Sequence, residues 1–143
     1  MDHKIKTVAL PKHLGWIFFT ILVFIDAFLT VIRGAEGNPL WIPVVKFIGI
    51  NRVLFLVPLI LPLYYFVVKA ISWVVKRVDR LPQAEEILLT TLVLIYAVFD
   101  VWLIAVDFFG FRFIRSFYHT IPFLIAVGFV YALLAEYLVK RQK

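Results

Sequence analysis

Residues 14 to 43 read LGWIFFTILVFIDAFLTVIRGAEGNPLWIP. From Leu14 to Ile32 the run is apolar apart from Thr20, Asp26 and Thr30. That is long enough to cross a bilayer, whose hydrocarbon core takes about 20 helical residues. The run is too long for a cleaved signal peptide, holds a carboxylate, and has no small-x-small cleavage signal after it. It is therefore expected to stay as a first transmembrane span, residues 14–32. Beyond it the chain turns through Arg33-Gly34, presents Glu36 and Asn38, and meets Pro39.

The rest of the chain has the same character. Of its 143 residues 64% are hydrophobic, and the mean hydropathy is +0.99. Ordinary soluble domains are about 45–50% apolar. A soluble fold of this size has no way to hide so much apolar surface, so the bilayer must act as its solvent. The length fits one transmembrane domain, residues 1–143. There is no cysteine, which excludes disulfides and thiolate metal sites. The net charge of +6 points to a membrane face rather than to nucleic acid, because the Lys and Arg residues mostly flank apolar runs.

The fold class is all-α and polytopic, with four transmembrane helices. After the first span, residues 39–50 are too short to cross and read as an interfacial helix, with Pro39 in the first turn and Trp41 at head-group level. The second span covers residues 53–75. Pro58 and Pro62 lie within it and are expected at a kink packed against neighbouring helices, and Lys69 is expected to snorkel. The loop KRVDRLPQAEE, Lys76 to Glu86, is hydrophilic and ends in acids suited to a helix start. The third span covers residues 87–109, with Asp100 and Asp107 inside it. The fourth covers residues 121–139, where Glu136 and Lys140 are spaced to pair.

Four spans put the N-terminal tail, the 76–86 loop and the C-terminal tail on one side. Those segments carry Lys4, Lys6, Lys12, Lys76, Arg77, Arg80, Lys140, Arg141 and Lys143. The other side has Arg33, Lys46, Arg52, Arg112 and Arg115. The bias predicts a multi-pass cell-membrane protein with both termini in the cytoplasm. Trp16, Trp73 and Tyr137 then fall in the inner aromatic belt, and Trp41 and Tyr118 in the outer one.

This topology gathers Asp26, Glu36, Asn38, Asp100, Asp107 and His119 in the outer half of the membrane or at its rim. Asp26, Thr30 and Arg33 share one helix face, and so do Asp100 and Asp107. Charged groups at such depth face the protein interior and mark functional sites by default. The six residues are candidate ligands for a divalent cation. Carboxylate and amide oxygens suit Ca²⁺, Mg²⁺ or Mn²⁺, and His119 would admit Zn²⁺. Against this stand plainer roles: Asp26 bridging Arg33, Asp107 held by Arg112, Asn38 capping the short helix, and His119 at the rim.

The sequence also carries a faint internal echo. Phe24-Ile25-Asp26-Ala27-Phe28-Leu29 aligns with Val98-Phe99-Asp100-Val101-Trp102-Leu103, and in that register Arg33 falls opposite Asp107. Two copies of a two-helix unit, related by an axis along the membrane normal, would produce this pattern.

Asp26-x3-Thr30, then Gly34-x-Glu36-x-Asn38-Pro39-Leu40, resembles the N-terminal signature of a family of small prokaryotic membrane proteins known as a domain of unknown function. The likeness covers about a tenth of the chain. It implies a bundle of about four helices with Asp26, Glu36 and Asn38 in a polar site, and it implies no activity. Asp100 and Asp107 are outside that signature.

Three function classes fit. One is cation or proton binding or transport at the outer carboxylates. Another is a structural or assembly subunit, in a homo-oligomer or a larger membrane complex. The third is an intramembrane hydrolase, using an Asp26–Asp100 pair that shares one proton or a metal, with outer arginines holding a lipid phosphate. No HExxH or Gly-x-Ser-x-Gly signature supports the third.

Overall fold

Apolar residues fill four long segments of the chain, and in a bilayer every backbone polar group in them must be satisfied within the segment. Helices are the result. The computed structural model describes residues 8–39, 41–111, 114 and 116–141, and the structural statements that follow concern these. Lys4, Lys6, Lys143, Arg112 and Arg115, weighed above, lie outside them.

The protein is all-helical and polytopic. Helix α1 spans Lys12–Arg33, α2 Ile42–Ile48, α3 Val53–Val78, α4 Ala84–Asp107 and α5 Phe117–Arg141. Four segments are long and apolar enough to cross a membrane: Lys12–Arg33, Ile50–Val78, Ala84–Asp107 and Phe117–Arg141. Helix α1 closes on Gly34 in the left-handed conformation (φ 68°), which an L side chain rarely adopts.

The interfacial helix is shorter than residues 39–50. It starts at Ile42, capped by Trp41, with Pro43 in its first turn. The cap position falls on Trp41 rather than on Asn38, whose backbone carbonyl accepts from the Trp41 and Ile42 amides. Gly49, at φ 86°, ends the helix, and a 3-10 turn over Ile50–Arg52 leads into α3.

Helix α4 begins at Ala84, so Glu85 and Glu86 occupy its first turn, where the helix dipole favours acids. Helix α5 begins at Phe117, with Pro122 in its second turn, where it removes the one backbone donor that would meet the Tyr118 carbonyl. Pro58 and Pro62 are not packed inside the bundle. Both lie on the exposed face of α3, beside the exposed Phe55, Leu59 and Phe66.

Helices α1, α3 and α4 pack against one another, and α5 packs chiefly on α4. The main core joins Phe19, Val23 and Ala27 of α1 to Val45 of α2 and Val53 and Val57 of α3. Phe19 is fully buried, edge-on to Tyr64 and Tyr96, whose hydroxyls are 2.7 Å apart. A second cluster, Leu81, Ala84, Ile87, Ala135 and Val139, closes the opposite end against Val8 and Ala9. There Tyr131 donates to the Val8 carbonyl and the Leu10 amide donates to Thr90. The N-terminal segment, the 79–83 connection and the end of α5 therefore meet at one end of the bundle.

Candidate functional site

At the end of the bundle away from the termini, Asp26 projects from the last third of α1. It lines three adjoining cavities. One runs along α3 and includes Thr30, Glu36, Tyr64 and Tyr96 in its wall. The largest of the three, about 280 Å³, is bounded by Arg33, Glu36, Asn38, Trp41 and Trp102. The third, about 140 Å³, adds Ile95 and Leu124. The Glu36 carboxylate accepts from the Asn38 amide at 2.7 Å, which folds residues 36–38 over the site. Glu36, Arg33 and Asp100 are all within electrostatic reach of Asp26.

Asp100 lies on α4, the helix that α1, α3 and α5 all pack against. It is 3% exposed, and neither carboxylate oxygen has a hydrogen-bond partner. Leaving a buried charged group unpaired costs several kcal/mol, on the order of the penalty for breaking a buried pair. Asp100 is therefore the most anomalous polar group in the described bundle, and Asp26 lies within its electrostatic reach.

The six candidate ligands do not converge. Asp26, Glu36 and Asn38 share a cavity wall. Asp107 is drawn away: its Oδ2 is 2.6 Å from Arg33 Nε, and this pair ties the end of α1 to the end of α4. Arg33 thus serves Asp107, whereas the sequence offered it to Asp26 and offered Arg112 to Asp107. His119 is exposed on the first turn of α5. Among the described residues no three His, Asp or Glu side chains come together as a divalent cation requires. Asp26 on α1 has two other carboxylates within electrostatic reach, Asp100 on α4 and Glu36 in the turn after α1.

Sequence reasoning missed the polar cluster at the other end. Glu85, 3% exposed, sits between Lys12 Nζ at 3.2 Å and Lys69 Nζ at 2.7 Å. Glu86 is 3.8 Å from Lys12. The carboxylate joins α1, α3 and α4, so Lys69 does more than snorkel. The available signal was a lysine seven residues inside the apolar run of the second span, a depth that calls for a partner. Lys140 and Glu136 pair as their spacing predicts.

Comparison of the chain with protein-family models, curated proteins and solved structures gives no match. The resemblance of Asp26–Leu40 to a family signature rests on those residues alone.

Proposed function

We propose that this integral membrane protein binds a proton shared between Asp26 and Asp100, in the half of the membrane away from its termini. The observation that carries the reading is Asp100: a buried carboxylate with both oxygens unpartnered and with Asp26 within electrostatic reach. Two close carboxylates avoid mutual repulsion by holding one proton between them. Asp26 borders cavities that give the pair a route to solvent, with Glu36 and Asn38 at the mouth. Both termini are placed in the cytoplasm on the Lys/Arg bias, so the route opens outward. A purely structural role accounts for Arg33–Asp107 and for Glu85, yet it leaves Asp26 and Asp100 without partners.

The test is thermal unfolding in detergent across pH 5–9. If the folded protein holds a proton that the unfolded chain releases, stability falls as pH rises, by about 1.4 kcal/mol per unit for one proton. The charged groups around the pair are Arg33 and Glu36 at the end of α1, with the Tyr64 and Tyr96 hydroxyls on α3 and α4. Asp100→Asn should flatten the profile, whereas Glu36→Gln should leave its slope in place. A flat wild-type profile sinks the proposal.

A further inference from the structure

A second cavity, about 200 Å³, lies at the terminal end of the bundle between α3, α4 and α5. Its wall combines Ser72 and Val75 of α3, Ala84, Ile87 and Thr91 of α4, and Glu136 of α5, with Asp79 just past α3. Ser72 is 3% exposed, and its hydroxyl oxygen has no hydrogen-bond partner. A helical serine commonly bonds back to the carbonyl four residues earlier. This one does not, so it has a donor to offer within the cavity wall. Thr91, by contrast, spends its donor on the Ile87 carbonyl.

The mouth is polar and of mixed sign. Asp79 is exposed, and Glu136 is paired with Lys140, which also lies within electrostatic reach of Asp79. Asp79 follows Ser72 by seven residues, about 10 Å along the helix. That distance exceeds the polar zone of one leaflet, roughly 5–8 Å, by a few ångströms. From mouth to floor the wall therefore presents the Asp79 and Glu136 carboxylates, with Lys140 beside them on Glu136, then apolar side chains, then the Ser72 hydroxyl. A phospholipid with a primary amine presents the complementary series: ammonium and phosphate, glycerol, ester carbonyl. Helices α3 and α5 do not pack closely on each other, and the gap between them leaves a path for the acyl chains.

We propose that this cavity is a binding site for an aminophospholipid of the leaflet on the side of the termini. The ammonium is held by Asp79, the phosphate by Lys140, and an ester carbonyl by Ser72. The site is separate from the Asp26–Asp100 pair and stands independently of the function proposed for it.

The experiment is a thermal-shift titration of delipidated protein in mild detergent. The probes are phosphatidylethanolamine, phosphatidylcholine and phosphatidylglycerol of matched chains, and free phosphoethanolamine. A ligand that binds only the folded state raises the unfolding temperature with concentration. Phosphatidylethanolamine should give the largest shift. Asp79→Asn should weaken its binding about tenfold, as loss of a charged hydrogen bond does, and Ser72→Ala should weaken it less. Ser72→Ala changes one atom and preserves the fold, so it decides the matter if Asp79→Asn unfolds. Equal shifts from the three lipids overturn the proposal. So does an unchanged shift in Ser72→Ala and Asp79→Asn. A shift from free phosphoethanolamine equal to that from the lipid overturns the assignment to lipid.

Discussion

Arg33 Nε lies 2.6 Å from Asp107 Oδ2, and the two side chains are 22% and 25% exposed. The pair fastens the last turn of α1 to the last turn of α4. It also takes up the cation that would otherwise neutralise Asp26. Partial exposure places it between surface and fully buried ion pairs. Asp107→Asn should therefore cost about 1–3 kcal/mol in chemical or thermal unfolding. It should also leave the pH profile sloped, since the carboxylate pair is intact. A flattened profile in Asp107→Asn would instead place the titrating group at Arg33–Asp107.

Glu85 provides the matching fastening at the other end. Its carboxylate is enclosed while the side chains of Lys12 and Lys69 are 47% and 43% exposed. Glu85→Gln leaves two lysines that can turn toward water, so the full cost of breaking a buried pair is not reached. A loss of about 2 kcal/mol is expected. Glu86→Gln, whose contact with Lys12 is 3.8 Å, should cost under about 1 kcal/mol. Equal losses in the two variants would remove Glu85 from its central place.

The Tyr64 and Tyr96 hydroxyls bond to each other at 2.7 Å inside the core. Removing one strands the other. Tyr64→Phe and Tyr96→Phe should each cost about 1–1.5 kcal/mol, while the double variant costs little more than either alone. Additive losses in this double-mutant cycle would show that the hydroxyls have other partners.

Gly128 sets the distance between α5 and α4. A Cβ there would come within 2.7 Å of Ile95 Cδ1 and 3.3 Å of Thr91 Cγ2. The Ile95 tip can move, so Gly128→Ala should be nearly neutral, with the gain in helix propensity offsetting the crowding. Gly128→Leu forces the helices apart and should cost about 1–3 kcal/mol. A silent Gly128→Leu would mean that α5 docks elsewhere.

The orientation is open to direct labelling. Cysteines placed at the exposed positions Ala35 and Pro82 should react from opposite sides of the membrane, Pro82 from the cytoplasm. Labelling of both from one side would overturn the four-span topology.

The four spans were legible because a bilayer demands long apolar runs, and the runs at 14–32, 53–75, 87–109 and 121–139 are each interrupted by charge or turn residues. Helix ends were less so. Lys76 and Arg77 extend α3 to Val78 because the negative end of a helix tolerates cations. Phe117 starts α5 ahead of Pro122 because an early proline breaks little. The short helix lost its first residues because the Glu36 side chain and the Asn38 carbonyl organise the turn before it. At the site, helical spacing identified Asp26 and Asp100 as inward-facing groups. Spacing along one helix carries no information about which neighbour supplies a partner. Arg33 could thus be assigned to Asp26 on its own helix when it reaches Asp107 on another. Glu85 needed partners 73 and 16 residues away, beyond any local pattern.

The attachment of α5 chiefly to α4 bears on how the protein is made. Helices α1, α3 and α4 can close around Phe19 before the last span leaves the ribosome, as N-terminal units do during synthesis. Spans inserted one at a time then associate within the bilayer. In that order the Tyr64–Tyr96 core is complete early, whereas the wall of the outer cavity contributed by Phe117 arrives last. The wall that α5 gives to the cavities beside Asp26 then forms last, so a chain stalled before α5 docks would be inserted yet would hold Asp26 open to the surrounding lipid.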